Sequence, residues 1–266
     1  MTNFRTLLIC HEPSLLHREG IARWLTSFSN LVGIVVLHED GRARWSRVRR
    51  EISRSGVLGF ADVLAFRVFY RLRLRRRDAE WESNAVNSLL QRFPPSPPPA
   101  ILHEQSPNSA SAEQFIRERK PDITIALCKQ LLAERVFTIP RHGTFVLHPG
   151  VCPEYRNAHG CFWALVNHDP GNVGMTLLRV DRGVDTGPVF GYYRYPFEEG
   201  AESHVVVQHR LLLENLDAVR ERLIEIANGK ATPIDTSGRR SAVWGQPRLT
   251  RYVAWKRGTR EKRRTA

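Results

Sequence analysis

The sequence predicts an α/β protein with an open, mostly parallel sheet and flanking helices. Residues 5–10 and 31–37 are short apolar runs, and the second is too rich in β-branched residues for a good helix. Between them, Pro13 and Ser14 open an apolar segment that we interpret as a helix. A strand, a helix and a second strand at this spacing are typical of a βαβ unit with parallel strands.

The same alternation continues after residue 100. Ser111 is the predicted N-cap of one helix, because Glu113 and Gln114 follow it closely. Strands are expected at 100–103, 122–127, 144–147, 173–180 and 189–195, and helices at 111–119, 162–167 and 202–228. We therefore expect one α/β domain over residues 1–229 and a basic tail over 230–266, partly packed through its aromatic residues and partly disordered.

Residues 40–99 form an insertion in this alternation. Its segment 57–70 is apolar around almost the whole helix, and 71–77 is rich in arginine. We interpret the segment as a crossover helix with a buried apolar end and a solvated basic end. The alternative is a helix that lies on an anionic membrane surface through residues 57–77. The prolines of 94–99 predict an extended connector, because proline lacks the N–H that helices and sheets use.

Charge and composition narrow the classes of function. The 266 residues carry 40 Lys and Arg against 27 Asp and Glu, which gives a net charge of +13. Such an excess suits nucleic acids, anionic membranes or phosphorylated substrates. No segment has the pattern of a sequence-reading module, and the last basic residues have no interleaved aromatic residue that could stack on bases. Binding to nucleic acid is therefore not favoured.

Several motifs with known chemistry do not occur. The four cysteines form no C-x-x-C pair, so we expect no metal site. The first strand leads into His11-Glu12-Pro13-Ser14 rather than a glycine-rich phosphate loop, which disfavours a dinucleotide site there. No signal peptide and no apolar stretch of ~20 residues is found, so we expect a cytoplasmic protein with reduced thiols.

The residues that suggest chemistry lie between positions 143 and 191. His148 follows an apolar strand, at the carboxyl edge of the sheet where α/β proteins bind ligands. An isolated histidine at this place would by default bond to a backbone carbonyl. Asp181 and Asp185 lie in a glycine turn between two strands, where one aspartate would be an ordinary turn residue. Two of them beside a strand-end histidine indicate that His148 and Asp185 handle protons as a pair.

This region resembles the folate-dependent formyltransferases, the family that includes glycinamide ribonucleotide, methionyl-tRNA and sugar-nucleotide formyltransferases. The matching residues are His148-Pro149, Pro153, Tyr155-Arg156, Ala158, Trp163-Ala164, Gly174–Thr176 and Asp181…Gly183-Val184-Asp185-Thr186-Gly187-Pro188. The resemblance is strong over residues 120–195, weak across 40–110 and absent from the tail. It implies a Rossmann-like formyltransferase fold.

The resemblance also implies roles for individual residues. His148 corresponds to the family's catalytic histidine, and Asp185 to the aspartate that positions this histidine and assists proton transfer. The implied formyl donor is 10-formyltetrahydrofolate. The residues implied in binding its pterin are Asp181, Gly183 and Val184 in a covering loop, and Gln130 and Leu132 through nearby main-chain groups.

Direct transfer of the formyl group follows from the resemblance. The amine of the acceptor would attack the formyl carbon while His148 and neighbouring groups stabilise the developing oxyanion. The amine proton would leave toward the His148 and Asp185 pair. No covalent enzyme intermediate is needed, so we interpret Cys152 and Cys161 as packed thiols rather than nucleophiles.

Val146 departs from the family's pattern, which has an asparagine two residues before the histidine. Strand alternation puts positions 146 and 148 on the same face, so an apolar side chain replaces a carbonyl-polarising amide. Losing one such donor typically costs ~2.7–4 kcal/mol. Asn157 is the nearest polar candidate to replace it. A variant reaction and a domain that binds ligand without catalysis are the other two interpretations.

The acceptor is inferred by elimination and family analogy. Glycinamide ribonucleotide is disfavoured because the phosphate-binding loop is missing after the first strand. Methionyl-tRNA is disfavoured because enzymes of that type carry a β-barrel after this domain, whereas only the tail follows here. An amino-sugar nucleotide or another small amine is left as the expected acceptor. A folate-binding module, a formyl hydrolase and a tRNA- or polyanion-binding protein remain alternatives.

Overall fold

The computed structural model describes residues 4–38, 41–95 and 97–265. Its strands are β1 (Arg5–His11), β2 (Asn30–Leu37), β3 (Ala100–Glu104), β4 (Ile123–Leu127), β5 (Thr144–His148), β6 (Arg156–Asn157), β7 (Met175–Arg179), β8 (Val189–Tyr193) and β9 (Val243–Trp244). Its α-helices are α1 (Ala22–Thr26), α2 (Gly41–Arg73), α3 (Arg75–Arg92), α4 (Ala110–Arg119), α5 (Glu134–Phe137), α6 (Gly160–Val166), α7 (His204–Glu214), α8 (Leu216–Ala227) and α9 (Leu249–Thr265). A π-helical turn, Leu16–Ile21, leads into α1.

Seven strands form one sheet in the order β3-β2-β1-β4-β5-β7-β8. The first five strands in this order are parallel, and β7 and β8 are antiparallel to their neighbours. The α/β, mostly parallel fold predicted from the sequence is therefore confirmed. The carboxyl ends of β1, β4 and β5 lie at one edge, which brings His11, Leu127 and His148 to that edge.

The core occupies both faces of the sheet. Leu8, Phe145 and Leu147 belong to a large cluster on one face, and Leu7 and Ile9 to a smaller cluster on the other. Burial on both faces explains why the central strands are almost continuously apolar, as parallel strands covered by helices are. Each fully buried aliphatic side chain stabilises the fold by roughly 1.5–3 kcal/mol.

Two predicted helix details are wrong. The helix expected over 202–228 is divided at Asn215, whose side-chain amide donates to the carbonyls of Leu211 at 2.8 Å and Arg194 at 3.1 Å. An asparagine that bonds backbone carbonyls competes with helical geometry. The N-cap of α4 is Ser109, which accepts from the N–H of Ala112, whereas Ser111 lies inside the helix.

The tail differs from the partly disordered segment that we expected. Its last part forms α9, because Tyr252, Trp255 and Thr259 recur at helical spacing and are buried. Ala266, the last residue of the predicted tail, lies outside the described residues. So do Asp40, where the predicted insertion begins, and Ser96 within the proline connector.

The insertion contains α2, which is kinked at Gly56 (φ 71°), and α3. The sequence predicted a buried apolar end, but α2 buries only one face there. Val63 and Phe66 are 1% and 4% exposed, whereas Leu58 and Leu72 are 88% and 77% exposed. Among the described residues, no helix has both the length and the apolar character that crossing a bilayer requires.

Candidate active site at the end of strand β5

His148 is the last residue of β5, and the loop after it folds back over its ring. Gly150 makes this possible, because a Cβ there would lie 2.6 Å from the carbonyl oxygen of Tyr155 and 2.8 Å from Nε2 of His148. Gly160 at the start of α6 is packed as closely, with Gly150 Cα 2.5 Å from where its Cβ would be. The two glycines therefore let the segment between them approach the histidine.

Both ring nitrogens of His148 face polar groups. Nε2 lies 2.7 Å from the carbonyl oxygen of Tyr155, and Nδ1 lies 3.5 Å from Oδ2 of Asp185. A carbonyl oxygen can only accept, so Nε2 carries a proton. A second proton on Nδ1 would be shared with the carboxylate. The histidine thus bonds to a backbone carbonyl and faces Asp185 as well, with its side chain only 6% exposed.

Asp185 is held in place by the loop that follows β5. Its backbone is left-handed (φ 51°), and its Oδ2 accepts a 2.8 Å hydrogen bond from the backbone N–H of Asn157. The guanidinium of Arg156 donates to the carbonyl of the neighbouring Val184 at 3.2 Å. These contacts hold residues 181–187, here called the aspartate turn, against the loop between Gly150 and Gly160.

Asp181 shapes the turn that contains Asp185. Its Oδ1 accepts from the N–H of Gly183 at 2.9 Å and from the hydroxyl of Thr186 at 2.7 Å. Aspartate that bonds the backbone two residues later is a common turn-forming contact. The carboxylate of Asp181 therefore holds the loop, and Asp185 is the carboxylate of this turn that reaches His148.

The two segments implied in donor binding lie side by side. Arg182, between Asp181 and Gly183, pairs with Glu134 at 2.7 Å, directly after the segment 128–133. The amide of Gln130 donates to the carbonyl of Gln105 at 2.8 Å. The side chain of Leu132 packs against the smaller core cluster. The Arg182–Glu134 pair thus connects the turn of Asp181 to the residues that follow Gln130 and Leu132.

Asn108 fixes the first of these segments. Its side chain donates to the carbonyl of Leu131 at 2.8 Å and accepts from the N–H of Ala133 at 2.7 Å. Two bonds from one side chain to alternate residues hold a short loop in one conformation. Main-chain groups of residues 130–132 are therefore presented on a fixed frame.

Val146 lies two residues before His148, in an apolar environment. It is paired with Leu178 across β7 and packs against a small cluster of Cys152, Leu178 and Val189. The site thus has hydrophobic packing where the family has an amide. The Asn157 side chain, predicted as its replacement, contacts the tail, where its Nδ2 donates to the carbonyl of Trp244. The residue's contribution to the site is the backbone N–H that binds Asp185.

The thiols near the site are protonated. Burial raises the pKa of Cys152, and the negative charge of the nearby Asp185 raises it further. Burial also raises the pKa of Cys161 to about 12. A cysteine nucleophile must be a thiolate, so neither residue is prepared for covalent catalysis.

His159 is a residue near the site that the sequence reasoning missed. Desolvation, together with the charges of Lys129 and Arg67, lowers its pKa to about 4, and the His148 ring is close enough to add to this effect. Its Nδ1 lies 3.5 Å from the amide of Gln208. A ring that stays neutral at pH 7 can donate a hydrogen bond without carrying charge. Its position in the sequence could have indicated it, because His159 lies in the same Tyr-Arg-Asn-Ala-His-Gly segment as Asn157.

The tail covers the loop that carries these residues. Strand β9 pairs with β6, and the Trp244 ring stacks on Tyr155 and Trp163 at centroid distances of 5.6 and 5.0 Å. The Trp244 indole N–H donates to the carbonyl of Glu154 at 2.9 Å. Farther back in the tail, Arg239 forms two hydrogen bonds with Glu154. The tail is therefore part of the site's frame.

Glu12, His38 and His103 form a second polar group at the carboxyl ends of β1, β2 and β3. One potential ligand atom from each residue lies within 4.8 Å of the others. Among the described residues, no other cluster of His, Cys, Asp or Glu side chains has this spacing. The two nitrogens of His38 lie 2.7 Å from Glu12 Oε2 and 2.9 Å from His103 Nδ1. Two hydrogen bonds thus link the three side chains. The sequence did not reveal them because they come from three separate strands.

One cleft borders the aspartate turn from outside. It has a volume of about 560 Å³ and includes Glu134, Phe190 and Arg182 in its wall. His148 and Asp185 do not line it. The candidate active site is therefore defined by the geometry around His148 rather than by this cleft.

Comparison with protein families gives one match that spans half of the chain. A family model described as formyl transferase matches residues 83–219, which include His148, Asp185 and both segments implied in donor binding. The methionyl-tRNA formyltransferase of Bacteroides fragilis is 35% identical over 124 residues, 43% of this chain and 38% of that protein. The Bacteroides thetaiotaomicron protein of the same name is 34% identical over 134 residues, 50% of this chain and 41% of that protein. The chain thus spans about two fifths of the length of these curated relatives.

Solved structures share the fold at low identity. A sugar N-formyltransferase from a Shewanella species matches with a TM-score of 0.54 and 12% identity, over 91% of this chain and 76% of that one. Glycinamide ribonucleotide transformylase 1 from Symbiobacterium toebii matches with a TM-score of 0.54 and 16% identity, over 92% of this chain and 95% of that one. At these identities the likeness concerns the fold alone.

Proposed function

The chain belongs to the formyl transferase family, and we propose that it transfers a formyl group from 10-formyltetrahydrofolate to the amine of a small acceptor. The observation that carries this proposal is the approach of Asp185 Oδ2 to His148 Nδ1 at 3.5 Å, with the two side chains 17% and 6% exposed. The donor is the one that the family uses.

The proposed transfer needs a group that accepts the amine proton as the new C–N bond forms. In the proposal that proton passes to the His148 and Asp185 pair. Nε2 of His148 stays bonded to the Tyr155 carbonyl, so Nδ1 is the position at which the ring and the carboxylate share the proton. General acid–base help of this kind contributes ~10²–10⁴ in rate.

A second requirement is a donor of hydrogen bonds to the formyl oxygen as it gains negative charge. Val146 cannot donate, and the side chain of Asn157 is bonded to Trp244. We propose His159 for this role because it lies in the same loop, between Asn157 and Gly160. Its ring would donate without charge, because desolvation and the charge of Lys129 lower its pKa to about 4. A preorganised donor in a site closed to water stabilises such charge more than one in bulk solvent.

The donor would be held by the adjoining segments 128–134 and 181–187. Asn108 bonds the main chain of the first segment, and the Arg182–Glu134 pair connects the two. Bound there, 10-formyltetrahydrofolate supplies an activated formyl carbon. Main-chain groups near Gln130 and Leu132 would recognise the pterin edge, and Asp181, Gly183 and Val184 would cover the ring.

For the acceptor we favour an amino-sugar nucleotide. The polar group of Glu12, His38 and His103 lies at the edge of the sheet where a phosphate loop would otherwise follow β1. A carboxylate and two imidazoles suit hydroxyl and amine groups of a sugar better than a phosphate monoester. Methionyl-tRNA, on which the named curated relatives act, is the alternative acceptor, with the basic surface as its supporting observation.

A transfer assay with a panel of acceptors tests the proposal. Wild-type protein and His148→Ala would be incubated with 10-formyltetrahydrofolate and amino-sugar nucleotides, methionyl-tRNA or glycinamide ribonucleotide. We expect an N-formylated sugar nucleotide from the wild type and at least about a 10² lower rate from His148→Ala. Formate release without an acceptor would instead indicate a hydrolase. Tight binding of folate without transfer would indicate a binding module.

A further inference from the structure

Helix α2 presents an apolar face to solvent that nothing in the active site uses. Leu58, Leu64, Val68 and Leu72 are 88%, 43%, 56% and 77% exposed. With Val57, Ala61 and Ala65 they recur at the spacing that places residues on one side of a helix. The opposite side, with Val63 and Phe66, is buried against the domain. An exposed apolar patch of this extent on a folded domain marks an interaction surface.

Cations border this apolar face along both sides. At 100° per residue, Arg67 and Arg71 fall on one border of the face and Arg73 on the other, and all three side chains are exposed. Between residues 57 and 77, Asp62 is the single acidic residue. It accepts hydrogen bonds from the N–H and hydroxyl of Thr250 in α9, so it faces the domain.

A basic concavity adjoins the Arg73 border. It has a volume of about 670 Å³ and lies between α2, the start of α3 and α9. The cationic residues in its wall are Arg73, Arg77, Lys256, Arg257 and Arg260. Asp78, the acidic residue next to Arg77, is 4% exposed and accepts a hydrogen bond from Ser203. A pocket with this set of charges suits a phosphate group.

We infer that α2 docks on an anionic lipid surface, with its apolar face in the acyl boundary and the basic concavity on a phosphate headgroup. A helix with an apolar face, arginine borders and no exposed acid has the arrangement of helices that lie in a membrane interface. A second copy of the chain fits less well. Packing two such faces together would bring arginine borders against arginine borders, which repel.

Vesicle co-sedimentation of the full chain tests this inference. Phosphatidylcholine vesicles with and without phosphatidylglycerol would be compared, in low salt and in about 1 M salt, where the Debye length falls to ~3 Å. We expect binding to the vesicles that contain phosphatidylglycerol and its loss at high salt. Equal binding to both vesicle types, or binding to neither, would overturn the inference.

Paired variants separate the contribution of the cations to vesicle binding from that of the apolar face. Arg67→Gln with Arg71→Gln should lower partitioning about 25-fold, at about fivefold for each cation. Lys120→Gln with Arg141→Gln removes two exposed cations from other elements and should leave partitioning unchanged. Leu58→Ser with Leu72→Ser should lower it at least about tenfold, whereas Leu15→Ser with Ile101→Ser, at exposed apolar positions elsewhere, should not.

Sedimentation velocity of the same variants distinguishes the other occupants. The α2 variants alter exposed positions, so their urea midpoints should match the wild type. A concentration-dependent dimer that the α2 variants abolish would show that this face binds a second copy of the chain. That result would overturn the lipid assignment. Vesicle binding that the control pairs reduce as much as the α2 pairs would show attraction through net charge alone, and would also overturn it.

Discussion

The backbone N–H of Asn157 donates to Oδ2 of Asp185 at 2.8 Å, and this oxygen is the one that faces His148. The side chain of Asn157 points elsewhere, to the carbonyl of Trp244. Residue 157 therefore contacts the proposed catalytic pair, His148 and Asp185, through its backbone. Its left-handed conformation (φ 78°) is one that asparagine and glycine adopt readily.

This relationship predicts that Asn157→Gly keeps the activity. The N–H and the backbone conformation remain, so kcat should stay within about threefold of wild type, while loss of the Trp244 bond should lower the free energy of unfolding by about 1 kcal/mol. Steady-state kinetics and urea unfolding measure both. A loss of ~10²–10³ in kcat would show that the side-chain amide itself polarises the formyl group.

Asp185→Asn should lower kcat by ~10²–10⁴ and leave KM almost unchanged. Asparagine tolerates the left-handed backbone and keeps the shape of the side chain, but it cannot take up a proton. Acceptor and donor titrations give the two constants. A raised KM with an unchanged kcat would place Asp185 in substrate binding instead.

Val146→Asn should raise kcat by up to ~10² and lower stability by ~1–3 kcal/mol. The new amide adds a donor on the face of His148, but it also enters the apolar cluster of Cys152, Leu178 and Val189. Val146→Leu is the matched control, since it adds volume without a donor and should not accelerate transfer. If Asn and Leu slow the reaction equally, the formyl oxygen does not lie near position 146.

Cys152→Ala and Cys161→Ala should each retain kcat within about threefold. Burial, with the Asp185 charge at Cys152, keeps both thiols protonated, and direct transfer needs no thiolate. Incubation of the wild type with iodoacetamide should likewise leave the activity intact. Loss of all transfer in a folded cysteine variant would point to a covalent intermediate.

His159 should make stability depend on pH between about 6.5 and about 4. Desolvation and the charge of Lys129 lower its pKa from 6.5 to about 4 in the folded protein, so the unfolded chain binds more protons in this range. The free energy of unfolding therefore falls as the pH falls through it, by at most about 1.4 kcal/mol per unit.

In the His159→Asn variant, the free energy of unfolding should depend on pH less steeply, by up to about 1.4 kcal/mol per unit. His168→Asn is the control, because His168 is exposed and has the same left-handed backbone (φ 56°). Urea titrations at several pH values measure the slopes. Equal slopes for wild type and His159→Asn would mean that the ring is protonated in the folded state at these pH values.

The sequence predicted the elements that depend on local pattern. The apolar runs of β1, β2 and β4 and the glycine turn with Asp181 and Asp185 can be recognised from adjacent residues. His148 and Asp185 were paired from their strand-end positions, and the structure brings their side chains within 3.5 Å. The sequence pattern predicted helix lengths less well, because a single side chain can divide a helix, as Asn215 does between α7 and α8.

Contacts between distant segments could not be read from the sequence. Trp244 reaches Tyr155 and Glu154 from about ninety residues away, and Glu12, His38 and His103 meet only because β1, β2 and β3 are neighbours in the sheet. The bond between the Asn157 side chain and Trp244 depends on the same tail. For that reason the sequence gave no sign of the contact between the Asn157 side chain and Trp244.

Single-turnover transfer of an isotopically labelled formyl group tests the central claim most directly. Wild-type protein and His148→Gln would each be mixed with labelled 10-formyltetrahydrofolate and the best acceptor of the panel. The account predicts that the label passes to the acceptor amine, and that His148→Gln is slower by at least ~10² with donor binding retained. Equal rates for the two proteins, or label bound covalently to the chain, would contradict it.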